Sequence, residues 1–123
     1  MSHIVSIRTQ VRDPVALTMA CRRLGLAPPV PGKAQLYVTQ AEGLLVNLTG
    51  WRYPVVVDTA AGTVNYDNYN QAWGAQAELD KLLQAYAIEK ARIEARKQGH
   101  CVTEQALADG SIKLTIQVAG GAA

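Results

Sequence analysis

YPVVVDTAAGTVNYDNYNQAWG, residues 53–74, decides how this chain folds. Pro54 lacks a backbone donor, so a strand begins there or lies at a sheet edge. Val55, Val56 and Val57 suit a pleated strand, and AAG at 60–62 turns the chain into TVNY. Two short strands joined this tightly read as an antiparallel hairpin. The last ten residues, NYDNYNQAWG (65–74), put three Asn, an Asp, two Tyr and a Trp into a chain without Phe. They lead directly into the strongest helical pattern in the sequence.

That helix is expected over about 75–98. Leu79, Leu82, Leu83, Tyr86 and Ile93 keep helical spacing, with Ala87 and Ala91 between them. Arg96 and Lys97 make a basic last turn and Gly99 is a stop. Lys90, Glu94 and Lys97 lie three or four residues apart and can pair along a solvated face. HCVTEQALADGSIKLTIQV (100–118) then reads as a hairpin with Asp109-Gly110 as a two-residue turn. Ile112, Leu114, Ile116 and Val118 alternate with Lys113, Thr115 and Gln117, giving one apolar and one wet face.

Working upstream, LLVNL (44–48) and QLYVT (35–39) are further short strands, with TGWR (49–52) as a turn. APPVPGKA (27–34) has three prolines and a glycine and reads as a loop. RDPVALTMACRRLGL (12–26) is a well-signalled helix. Asp13 can cap its free N–H groups, Pro14 suits its first position, and Leu17, Ala20, Cys21 and Leu24 share one face. Residues 3–11 alternate as a first strand. The sum is an α+β fold: an antiparallel sheet of five to six strands with two helices on one face. A ferredoxin-like plan with an extra strand is the expected topology. Residues 1–118 make a single domain and 119–123 a flexible tail.

Composition limits the function classes. Apolar residues are 49% and charged residues 18%, a globular balance, and the net charge is +2. Arg8, Arg12, Arg22, Arg23 and Lys33 stand against Asp13 alone up to residue 33, whereas Arg52 faces Glu42, Asp58 and Asp67 from 34 to 73. The basic end would supply phosphate contacts to a nucleic acid, but the aromatic-rich middle is acidic, which counts against that use. No apolar run is long enough for a membrane span or a signal peptide. Cys21 and Cys101 show no metal or redox spacing, so a reducing, cytoplasmic setting is the default.

Five of the seven aromatics, Trp51, Tyr53, Tyr66, Tyr69 and Trp73, fall between 51 and 73, interleaved with Asp67, Asn68 and Asn70. One reading is a corner that caps the long helix, with Trp73 covering the core. The other is a rim of aromatics and amides that meets a partner or ligand, since exposed Trp and Tyr are favoured at interfaces. The second reading makes Trp51, Tyr66, Asp67, Asn68, Tyr69, Asn70 and Trp73 the binding set. His100 is a secondary candidate, for an enzyme or small-ligand site in which it faces Asp67. His3, His100, Cys21 and Cys101 are the only soft metal ligands, and His100 and Cys101 should point to opposite faces. No metal, cofactor or nucleophilic triad is expected.

MSHIVSIRTQVRD (1–13), YPVVVDTAAGTVNYDNYNQAWG (53–74), LDKLLQAYAIEKARIEARKQGH (79–100) and VTEQALADGSIKLTIQ (102–117) together resemble a family of short proteins of unknown function. That family occurs in bacteria, in cyanobacteria and as a conserved reading frame of algal plastid genomes. The resemblance spans nearly the whole chain and is closer to the bacterial branch. It implies an intracellular protein associated with genes for an AAA-type ATPase and a small ferredoxin, hence an accessory or adaptor role with a protein partner. Exposed sheet edges could also pair two copies of the chain.

Overall fold

Val55, Val56 and Val57 are all fully buried, on both faces of one strand. A strand in which successive residues are all covered lies inside a sheet, with material on both sides. The computed structural model of the protein describes residues 5–8, 10–37 and 39–118. The elements in chain order are β1 (Val5–Arg8), α1 (Pro14–Arg23), β2 (Val30–Leu36), β3 (Thr39–Val46), β4 (Val55–Asp58), β5 (Thr63–Tyr66), α2 (Gln76–Lys97), β6 (Cys101–Ala106) and β7 (Ile112–Gln117).

The main sheet has the order β1-β5-β4-β3-β2. Every neighbouring pair in it is antiparallel. The α+β class therefore holds, with an antiparallel sheet and two helices. Among the described residues β6 and β7 pair only with each other, as a separate two-stranded sheet beside the ferredoxin-like arrangement.

Strand register decides which side chains meet which layer. Leu44 pairs with Val57, and Val46 with Val55; Val57 pairs with Val64. This face carries Val46, Val55, Val57, Val64 and Tyr66 onto both helices. There they meet Ala16, Leu17, Ala20 and Cys21 of α1 and Leu79, Leu82, Ala85 and Tyr86 of α2. Burying each large apolar side chain here contributes about 1.5–3 kcal/mol before entropy is counted. The opposite face has a smaller cluster, Ala34, Leu36 and Val56, flanked by Ala41, Leu45 and Tyr53.

Local chemistry places the helices. Asp13 Oδ1 accepts the N–H groups of Val15 (2.9 Å) and Ala16 (3.2 Å), as its cap position predicts. Both helices end alike. The N–H of Leu26 reaches the carbonyl of Cys21 and that of His100 the carbonyl of Ala95, with Gly25 and Gly99 at positive φ between. The Tyr86 hydroxyl accepts the N–H groups of Arg12 and Asp13 and donates to the Gln10 carbonyl, tying α2 to the start of α1. Lys90 bridges Asp13 (3.1 Å) and Glu94 (2.8 Å). Burial raises the Asp13 carboxyl, but Lys90 and the two capping N–H groups outweigh it and hold the group below its usual range.

Three local expectations change. APPVPGKA is not all loop, because β2 starts at Val30 and runs through Pro31 and Gly32. β2 is an edge strand, where the missing donor of Pro31 does not break a ladder. QLYVT is not one strand, because the chain reverses at Tyr37 (φ 55°) and Leu36 pairs with Thr39. Asp109-Gly110 is not a two-residue turn. Leu107 and Ser111 still share a hydrogen bond, Gly110 alone takes positive φ, and the Asp109 carboxylate accepts the N–H of Ser111. No helix among the described residues is long and apolar enough to cross a membrane. The expected tail, 119–123, and the start of the first strand lie outside the described residues.

Candidate functional site

After β5 the chain makes a left-handed turn. Tyr69, Asn70 and Gln71 have φ of 46°, 51° and 71°. Such a conformation costs an L-residue about 1–2 kcal/mol, and Asn tolerates it best. Three in a row persist only where the surroundings over-determine them. Here the Trp73 N–H reaches the Asn68 carbonyl (3.0 Å) and the Ala72 N–H reaches that of Tyr69 (2.9 Å). Asn68 Nδ2 donates to the Gly74 carbonyl (3.2 Å), and Asp67 Oδ1 accepts the N–H of Tyr69 (3.2 Å). From outside the turn, the N–H of Arg52 binds the Trp73 carbonyl (2.8 Å) and Trp51 Nε1 binds that of Ala75 (3.0 Å).

These bonds correct the helix-cap reading. Ala75 is the cap residue of α2 and makes no side-chain cap bond. Neither Asp67 nor any of the asparagines caps it. Instead Gln71 Oε1 accepts the N–H of Gln76 (3.0 Å) from the neighbouring turn.

The seven nominated residues divide among three places. Trp51 and Tyr66 form an edge-to-face pair 5.6 Å apart on the helix side, packed into the main core. Asp67 and Asn68 are buried beneath the turn. Tyr69, Asn70 and Trp73 lie with the outer part. Around Trp73 gather Tyr69 (4.8 Å), Tyr37 (5.3 Å) and Tyr53 (5.5 Å), all within ordinary aromatic pairing range. The Arg52 guanidinium sits 4.9 Å from the Trp73 ring centre, a cation–π distance. Tyr37 is 52% exposed and Tyr69 37% exposed, so the outer rings of this platform are open.

Tyr37 and Arg52 escaped the sequence reading. Tyr37 lies far from the cluster in sequence and is delivered by the β2–β3 reversal, which no turn residue announces. Arg52 reads in the sequence as part of a turn. The signal that could have found it is its place between Trp51 and Tyr53.

Asp67 carries the remaining anomaly. It is 2% exposed, and its Oδ2 has no hydrogen-bond partner among the described residues. A buried polar atom left unmade costs about 1–3 kcal/mol.

His100 does not join this corner. It follows α2, whose 22 residues span about 33 Å, while Asp67 precedes that helix. His100 lines a separate depression with Arg92, Arg96, Cys101 and Val102. Cys21 is buried on α1 and burial pushes its thiol up, whereas Cys101 is exposed. Among the described residues no three His, Cys, Asp or Glu side chains converge.

The basic residues of the amino-terminal third are partly spent on the protein itself. Arg12 donates to the carbonyls of Ala60 (2.6 Å) and Ala61 (3.1 Å), and Arg23 is clamped to Glu104. No protein-family model, no curated protein and no solved structure matches the chain.

Proposed function

We propose that this is a small protein-binding accessory or adaptor module of the cytoplasm. It meets its partner with the platform of Tyr37, Tyr69 and Trp73 and with Arg52. The observation that carries this reading is three tyrosine rings gathered about Trp73, two of them open to solvent, beside a turn that holds three left-handed residues. A corner selected only for stability would place glycine at such positions. Strain and an unmade buried polar bond are instead typical of sites whose geometry serves recognition. Tyr and Trp suit a protein partner because they bring contact area at low entropic cost. The family resemblance makes an AAA-type ATPase, or a ferredoxin acting beside one, the first partner to try.

The test is capture by the immobilised protein of a purified AAA-type ATPase from the same genome, compared with the Tyr37→Ala/Tyr69→Ala double variant. Both side chains are exposed, so the fold is expected to survive, as circular dichroism would verify. The expected result is a loss of binding by about tenfold or more, the usual weight of interface aromatics. Equal capture by a folded double variant would refute the assignment of this surface.

A further inference from the structure

We propose that a second copy of this chain pairs edge to edge with β7, so that two hairpins form a four-stranded antiparallel sheet about a two-fold axis at Thr115. The surface involved lies beyond the carboxyl end of α2, far from the aromatic platform.

The two sheets treat their open edges differently. The main sheet ends in β1, which carries Arg8, and in β2, where Pro31 offers no N–H and Lys33 adds a charge. Both are devices that keep an edge strand from recruiting another strand. β7 has neither. Its run Ile112–Gln117 contains no proline and one charge, Lys113. β6 is the strand that runs against α2, through Glu104 held by Arg23 and Arg92. β7 is therefore the outer strand. A lone two-stranded hairpin is marginal in water, and one face of this one is apolar except for Glu104, which stands opposite Leu114. Val102 pairs with Ile116 and Ala106 with Ile112. Ile116 is 46% exposed and Val118, just beyond β7, 61% exposed.

The sequence of β7 selects a copy of itself as occupant. In antiparallel pairing, opposed residues share a face. A two-fold axis at Thr115 sets Ile112 opposite Val118, Leu114 opposite Ile116, Lys113 opposite Gln117 and Thr115 opposite Thr115. All four apolar residues then face apolar partners, no like charges meet, and about six backbone hydrogen bonds form. An axis shifted to Leu114 would leave Val118, the most exposed of the four, opposite Gly110. A foreign strand would need to supply this alternation, whereas a second copy supplies it automatically.

The experiment reads mass and register together. Sedimentation of the full chain should give twice the chain mass at micromolar concentration. Thr115→Lys places two ammonium groups opposite each other on the axis but leaves the single chain undisturbed, because Thr115 is exposed and faces Thr103 across the hairpin. It should weaken dimerisation by about tenfold or more. In a Cys101→Ser background, with Cys21 buried, Thr115→Cys should cross-link to its copy under mild oxidation. Lys113→Cys should not, because it would sit opposite residue 117. A monomer at every concentration overturns the proposal. So does a dimer indifferent to Thr115→Lys, or a monomer whose β7 accepts an unrelated peptide strand.

Discussion

Gly74 is held to glycine by a single contact. A Cβ there would lie 2.5 Å from the Trp51 ring, which is itself anchored by the bond from its Nε1 to the Ala75 carbonyl. Because the ring cannot withdraw, Gly74→Ala should destabilise the fold by about 1–3 kcal/mol, read as a lower midpoint in thermal unfolding. An unchanged midpoint would mean that Trp51 is freer than this. The left-handed turn makes a second, opposite prediction. Asn70→Gly relieves φ 51° and should be neutral or stabilising by up to about 1 kcal/mol, while Asn70→Val should cost at least that much. The sequence shows why this corner was only half legible. Its asparagines read as turn formers, but the same side chains serve a helix cap or a left-handed backbone, and only the positions of Gly74 and Trp51 choose between them. Tyr37 was invisible because its contribution depends on a reversal that exists only in three dimensions.

At the scale of elements, the legible parts are those with local signals. Asp13-Pro14 starts α1, Gly25 and Gly99 end the helices, and the Leu79–Leu82–Tyr86 face lies on the core, each fixed by residues within a turn or two of itself. β2 was missed because proline in a strand is acceptable only at an edge, and edge position is a property of the whole sheet. The docking of the β6–β7 hairpin was equally non-local. Glu104 accepts two bonds from Arg23, at 2.8 and 2.9 Å, and one from Arg92 at 2.8 Å. The Arg23 bond is the main force that lowers the Glu104 carboxyl below its ordinary value of 4.5; partial burial opposes it, and Arg92 adds to it. A carboxylate lowered in the folded state contributes stability above its unfolded value and loses it as pH falls through the folded one. The clamp is thus complete at neutral pH and should release below about pH 4.5. Glu104→Gln should cost about 1 kcal/mol at pH 7, discounted for partial exposure, and should leave little further loss on acidification. Urea denaturation of both proteins at pH 7 and pH 4 measures the difference. Parallel pH dependence in the two would assign the acid effect to another carboxylate, with Asp13 the first to examine.

On the scale of the whole molecule, stability should be divided between two unequal parts. The five-stranded sheet and both helices share one continuous core through Val55, Val57, Leu17 and Leu82. The β6–β7 hairpin adds exposed strands held mainly through Glu104. Local opening follows the least buried contacts, so the two parts should exchange amide hydrogens at different rates. Amides of Val55, Val56 and Val57 should exchange only with global unfolding, and those of β6 and β7 about a hundredfold faster or more in dilute protein. Raising the protein concentration separates the hairpin's own stability from what a second copy adds, because association protects only the state that binds. With β7 as the shared edge, its outward amides slow as concentration rises, while the exposed loop Leu107–Ser111 continues to exchange at its dilute rate. Equal slowing of loop and strand would instead report a general stabilisation. Hairpin amides as slow as Val56 in the monomer would show that the hairpin belongs to the main cooperative unit, and Glu104 could not then be its release point.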